Sequence, residues 1–197
     1  MKERKIPVTV EIVSTVYHLI EGQENPAGEG QDVFIGGDEE ENPDVLLIND
    51  FDDSHMPDAE TARDAICYTT DGVLERDGNA LILTYRESES MGMEDCVTVL
   101  QFDRNDSGSV IMTRSGSAAT SMIFNMREPR QQCVYETGVA GFPLELCIRS
   151  RKVCSAVDEN GGTVQLDYVI ELRGVCTERT VLQIGITPQT LPETALF

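Results

Sequence analysis

Hydrophobic and polar residues alternate with a period of two along most of this chain, and almost nowhere follow the 3.6-residue spacing of an amphipathic helix. Ten runs read as strands: Val8 to Ile20, Ala65 to Arg76, Ala80 to Glu87, Cys96 to Phe102, Ser109 to Arg114, Ala118 to Met126, Gln131 to Thr137, Leu144 to Val157, Gly162 to Arg173 and Val175 to Ile186. The first is rich in β-branched residues, which lose less side-chain freedom on a pleated sheet than in a helix. Between the runs stand residues that turn a chain: Asn105-Asp-Ser-Gly108, Ser115-Gly116, Glu128-Pro129, Gly141-Phe-Pro143 and Asn160-Gly-Gly162. Asp77-Gly78-Asn79 between two alternating runs is a hairpin signal, because glycine tolerates positive φ. A short helix over Pro57 to Ile66 is the one helical candidate.

Strands joined in sequence by short turns form an antiparallel meander. Left open, the meander would present two edges of unpaired backbone, so closure is the economical arrangement. The expectation is therefore an all-β, antiparallel up-and-down barrel of about 8 to 10 strands, with a two-sheet sandwich as the alternative. A chain of 197 residues fits one such domain. Its first strand spans about 8–20, a long insertion 21–64, the barrel body 65–187 and a C-terminal tail 188–197.

Charge sets the insertion apart. The chain carries 35 acidic and 15 basic residues, a formal charge of -20, which opposes nucleic-acid phosphates and anionic membranes alike. From Glu21 to Asp64 there are 15 acidic residues and one basic residue, with three prolines and five glycines, a composition that resists compact burial. This stretch is expected to be an acidic insertion suited to a basic protein partner. Asn49-Asp50-Phe51-Asp52-Asp53-Ser54 suggests a calcium loop, but His55 and Thr61 stand where such a loop needs its glycine and its closing glutamate. No metal or cofactor is expected. Without a secretion signal or a long apolar run, the reading is a cytoplasmic protein whose six cysteines are mostly reduced, small apolar residues.

Period-two alternation also sorts faces. Leu81, Leu83, Tyr85 and Glu87 share one line; Val110, Met112 and Arg114 share another; so do Met122, Phe124 and Met126, and Val164, Leu166, Tyr168, Ile170 and Leu172. Thr163, Gln165, Asp167, Glu171 and Arg173 mark the wet face of the last of these strands. In a meander alternate strands run the same way, so the strands ending at Glu87, Arg114 and Thr137 finish at one mouth of the barrel, with Tyr85 and Tyr135 one inward step deeper. A guanidinium, a carboxylate, phenols and a hydroxyl at one apolar interior suit a small ligand, and Arg114, Glu87, Tyr85, Tyr135, Thr137 and Tyr168 are its candidate contacts. The plainer reading is that Glu87 and Arg114 neutralise each other and cap the barrel end, since buried charges are tolerated in pairs.

The series Leu83-Thr-Tyr85-Arg-Glu87, Ile111-Met-Thr-Arg114-Ser-Gly116, Met122-Ile-Phe124, Tyr135-Glu-Thr137 with Gly141, and Leu166-Asp-Tyr168 resembles the YwiB-like family of bacterial calycin-like β-barrels, a domain of unknown function. The likeness covers about residues 65 to 187 and, more faintly, the first strand. It implies a small intracellular lipocalin-like barrel and supplies no activity, ligand or catalytic set. The acidic stretch departs from the compact pattern, and the chain has no Trp and so lacks the G-x-W signature of lipocalins.

Catalysis finds little footing. His18 and His55 are the only histidines, neither beside a recognisable nucleophile motif. His18 reads as a surface or satisfied core residue. The functional expectation is a non-enzymatic barrel that binds a small, partly apolar or anionic molecule. The alternative is a solid barrel acting as scaffold, with the acidic insertion docking a basic partner. Glu87 as the general base of a hydrolase or isomerase is the least favoured reading, and the oligomeric state is left open.

Overall fold

The computed structural model describes residues 5–18, 63–93, 95–137 and 143–189. Its strands are β1 (Lys5–His18), β2 (Arg63–Asp77), β3 (Ala80–Arg86), β4 (Val97–Asp103), β5 (Asp106–Ser115), β6 (Ala118–Asn125), β7 (Arg130–Thr137), β8 (Leu144–Asp158), β9 (Gly161–Leu172) and β10 (Val175–Pro188). Each pairs antiparallel with its sequence neighbours, and β10 returns to β1, so the ten strands close into an up-and-down barrel. Closure gives most strands a partner on both sides, which is the physical reason a meander of this length does not stay flat.

All ten expected strands are present, with shifted ends. The short helix considered over Pro57 to Ile66 is overturned where it can be seen, because Arg63 to Ile66 are already strand paired to β1. Residues 57–62, with the rest of the acidic stretch up to 62, His55 and the calcium-loop candidate, lie outside the described residues.

One end of the barrel is formed by the start of β1, the β2–β3 and β4–β5 turns and the β8–β9 turn; it is the floor. The opposite end, the rim, holds the end of β1, the start of β2, the ends of β3, β5 and β7 and the β9–β10 turn. The floor half is filled by the barrel's own side chains: Val8, Leu74, Leu81, Leu100, Phe102, Val110, Phe124, Leu166 and Ile184 are all buried. Towards the rim the inward positions turn polar, with Ser14, Glu87, Thr98, Thr120 and Thr180 also buried.

The wall is irregular at β6 and β7. These strands pair only through Ala118–Thr120 and Tyr135–Thr137, at the rim. Towards their turn they part, and Ser150 of β8 bridges the opening: its amide donates to the Pro129 carbonyl at 2.7 Å, and its Oγ accepts from the Asn125 amide at 3.3 Å. A register shift in β8 between Ser150 and Lys152 accompanies this insertion, as β-bulges commonly do where a strand must bend.

Two side chains are buried or exposed contrary to expectation. Met126 lies beyond β6 and is 44% exposed rather than continuing the line of Met122 and Phe124. Glu171, expected on the wet face, is buried there, beside Val169, which is also buried. Its carboxylate is satisfied on the outer wall by Arg130, whose Nη2 donates to Oε2 at 2.8 Å, so alternation located the face correctly but not its cover. The six cysteines are free thiols of mixed burial: Cys96 and Cys133 are buried, whereas Cys67 and Cys154 are exposed.

Candidate functional site

Glu87 is the centre of the polar end. It follows β3 directly and is held there by its own amide, which donates to the Cys96 carbonyl at 3.0 Å. The parity that buries Leu81, Leu83 and Tyr85 carries on one more step and turns the carboxylate inward, leaving its side chain 1% exposed. Thr98 on β4 stands directly opposite Tyr85, and Arg114 on β5 directly opposite Thr98. Three adjacent strands thus deliver a hydroxyl, a guanidinium and a carboxylate to one place.

The hydrogen bonds are dense. Glu87 Oε1 accepts from Thr98 Oγ1 at 2.5 Å, from Arg114 Nη2 at 2.9 Å and from Arg114 Nε at 3.2 Å. Its other oxygen, Oε2, accepts the hydroxyl of Tyr68, which reaches over from β2. Arg114 Nε also lies 3.3 Å from Thr98 Oγ1. A carboxylate and guanidinium removed from water are costly unless each is paired and further hydrogen-bonded, and here both conditions hold. Both Glu87 oxygens are thus engaged by donors of the barrel itself.

Burial pushes the phenols up. Tyr85 is raised above its ordinary value by loss of solvent and then by the negative charge of Glu87. Tyr68 is raised by burial and by its hydrogen bond to Glu87. Tyr168, on the far wall, is raised by burial, with its ring packed at 4.8 Å between centroids against Phe124. Burial, the largest single influence, would lower the Arg114 guanidinium, but Glu87 together with Tyr85 and Tyr168 outweighs it and holds the group above its ordinary value.

The candidate residues therefore separate. Glu87, Arg114, Tyr85 and Tyr168 share one electrostatic environment. Tyr135 sits half-buried on the inward face of β7 opposite Thr120, but among the described residues no hydrogen bond joins it to the ion pair. Thr137 ends β7 opposite Ala118, at the expected rim; its side chain lies outside the described residues. His18 is a surface residue near Asp64 and Glu178.

Sequence reasoning missed three members of the site: Tyr68, Thr98 and Thr120. All three were within reach of the same period-two count, Tyr68 from Ile66, Thr70 and Leu74, Thr98 from Leu100 and Phe102, Thr120 from Met122 and Phe124. Thr120 is the most informative. It lies directly opposite Arg114 and Tyr135, is 6% exposed, and its Oγ1 has no hydrogen-bond partner among the described residues, the weak Cys133 thiol being a close neighbour. Two outer-wall grooves of about 350 Å³ each, over β7 to β9 and over β1, β9 and β10, are lined by other residues.

Among the described residues no group of three or more His, Cys, Asp or Glu side chains is placed to hold a metal ion, and no helix is long and apolar enough to cross a membrane. No curated protein matches this chain. In fold it is similar to the crystal structure of the ywiB protein from Bacillus subtilis, with 15% identity, a TM-score of 0.59 and 94% of each chain covered. The family model described as a domain of unknown function, DUF1934, matches residues 53–184, which span the barrel from before β2 into β10, and the chain belongs to that family.

Proposed function

We propose that this barrel is a binding module for a small, compact molecule that presents a hydrogen-bonding oxygen to Arg114 and Thr120 at the polar end. The observation that carries this reading is the buried hydroxyl of Thr120, directly across from the guanidinium, with only the weak Cys133 thiol beside it and no oxygen or nitrogen partner among the described residues. An unsatisfied buried hydroxyl costs about 1–3 kcal/mol, so a site that keeps one gains when a ligand or a water completes it. Arg114 has five N–H donors, and its Nη1 group makes no hydrogen bond among the described residues, so donors are left over after Glu87 is served.

The same geometry narrows the ligand. Arg114 is neutralised by Glu87, so a dianion such as a phosphate monoester gains no net Coulomb attraction there. A carbonyl or a single carboxylate edge matches the remaining donors better. The floor half is filled by fully buried side chains, which leaves a long acyl chain nowhere to lie. Tyr135, half-buried on the inward face of β7, offers an apolar ring face to the rest of the molecule, while Glu87, Tyr85, Tyr68 and Thr98 position the guanidinium rather than touch the ligand.

Thr120→Val tests the reading, because it keeps the shape and deletes only the hydroxyl. Native mass spectrometry of the parent purified from its own host is expected to show a bound small molecule that Thr120→Val loses, while the variant, freed of an unsatisfied group, melts no lower than the ligand-stripped parent. A parent that carries nothing, or a variant that retains the same adduct, defeats the proposal.

A further inference from the structure

We infer that the free edge of β2 pairs with the same edge of a second copy of this chain. β2 is 15 residues long and β3 only seven, so the two do not match. On one side β2 pairs with β1 from Arg63 to Glu75; on the other it meets β3 only from Gly72 to Asp77. Residues 63 to 71 therefore have a strand partner on one side alone among the described residues. An edge of that length is a ready template for another strand, and proteins that keep such edges free usually place charges or proline along them. Here the charges, Arg63, Asp64 and Asp71, stand only at the two ends of the edge, and its middle, Ala65-Ile-Cys-Tyr-Thr-Thr70, has neither charge nor proline and is made largely of strand-favouring residues.

The sequence of the edge identifies its occupant. In an antiparallel pair directly opposed residues share a face, so a two-fold axis must pass through a residue and its own copy rather than between neighbours. Centred on Cys67, the pairing sets Ala65 against the partner's Thr69 and Ile66 against the partner's Tyr68, a β-branched residue against an aromatic. It also sets position 63, an arginine, against the partner's Asp71, and does so twice. The Asp71 carboxylate accepts one bond from Gln189 Nε2 through Oδ1 at 2.7 Å, so it can still take a second donor. Centred on Tyr68 instead, the pairing sets Asp64 against the partner's Gly72 and Arg63 against the partner's Val73, and the complementarity is gone. For a chain of charge -20, self-association needs a contact that is neutral or oppositely charged wherever it touches itself. The Cys67 register is such a contact, and it leaves the Tyr68 hydroxyl on Glu87.

The full chain is therefore expected to sediment as a dimer, at twice its 21.7 kDa. Mild oxidation should link the exposed Cys67 to the partner's Cys67, a cross-link lost in Cys67→Ser and kept in Cys154→Ser. Ala65 and Thr69 are exposed, and the register opposes them, so Ala65→Lys with Thr69→Lys should yield monomers with an unchanged far-ultraviolet spectrum. Mixing that protein with Ala65→Glu, Thr69→Glu should restore a dimer. A monomeric parent, a dimer that survives the double lysine variant, or oxidation that links the chains through any cysteine other than Cys67 overturns the inference.

Discussion

The hydroxyl of Tyr68, on β2, is hydrogen-bonded to Oε2 of Glu87, which follows the last residue of β3. The bond spans the place where β2 runs on and β3 has stopped. A side chain here does what backbone pairing does elsewhere in the wall, fastening β2 to the next strand. The polar end thereby serves two purposes at once, closing the rim and holding the Arg114 guanidinium in a fixed orientation.

Tyr68→Phe removes that fastening while keeping the ring. Glu87 Oε2 then loses its donor in a mostly buried setting, and hydrogen bonds to charged groups are worth about 1.5–3 kcal/mol. Urea unfolding of Tyr68→Phe should show a midpoint lowered by a loss of this size at an unchanged slope. An unchanged midpoint would mean that water replaces the phenol without cost.

Breaking the ion pair should cost more than replacing it. Glu87→Leu or Arg114→Leu alone strands a buried charge, for which about 3–5 kcal/mol is typical. The double replacement removes both charges together and should be less destabilised than the sum of the two, by a coupling that a double-mutant cycle reads directly. Additive losses would show that the 2.9 Å contact carries no coupling in solution.

Alkaline titration should expose the buried phenols. Tyr68, Tyr85 and Tyr168 are all raised above the ordinary tyrosine value in the folded chain. The unfolded chain, whose phenols ionise near pH 10, releases their protons first, so the folded state binds more protons above that pH and stability falls as pH rises. Below about pH 9 this contribution is fully present. Melting temperatures should be flat to about pH 9 and then drop. Tyr68→Phe with Tyr85→Phe should flatten that drop, and an equally steep drop in the double variant would place its cause elsewhere.

Most of the fold could be read from alternation, because each strand buries one face and a one-residue slip would turn Leu81, Leu83 and Tyr85 out to water. The same parity places Glu87 and Arg114 inside. It failed where a second influence overrides period two. Glu171 obeys parity yet is buried, because Arg130 from a strand two places away covers it. Met126 breaks the pattern because β6 ends at Asn125, and strand ends follow turn geometry rather than hydrophobicity. Parity alone puts Tyr68 and Thr98 on inward faces, but that they partner Glu87 depends on which residues stand opposite which, and register between strands is not encoded in either strand alone. The runs Ala65 to Arg76 and Ala80 to Glu87 already differ in length, but the edge this leaves on β2 among the described residues follows only from which strands pair and in what register.

The β8–β9 turn tests where backbone conformation, rather than packing, selects the residue. Gly162 has φ +136° and Gly174, in the β9–β10 turn, has φ +83°. Both angles lie where side chains other than glycine are strained, a cost of about 1–2 kcal/mol for an alanine near the left-handed region. Their surroundings differ: a Cβ on Gly174 would meet nothing within 4 Å, whereas one on Gly162 would overlap the Ala156 carbonyl oxygen in the neighbouring strand. That carbonyl belongs to backbone paired across the β8–β9 ladder and cannot retreat without loosening it. Gly174→Ala should therefore lose only the conformational cost, and Gly162→Ala should lose clearly more, with faster amide exchange spreading along β8 and β9. Equal losses in the two variants would mean that the turn relaxes freely and that the close approach at Gly162 places no constraint on the barrel.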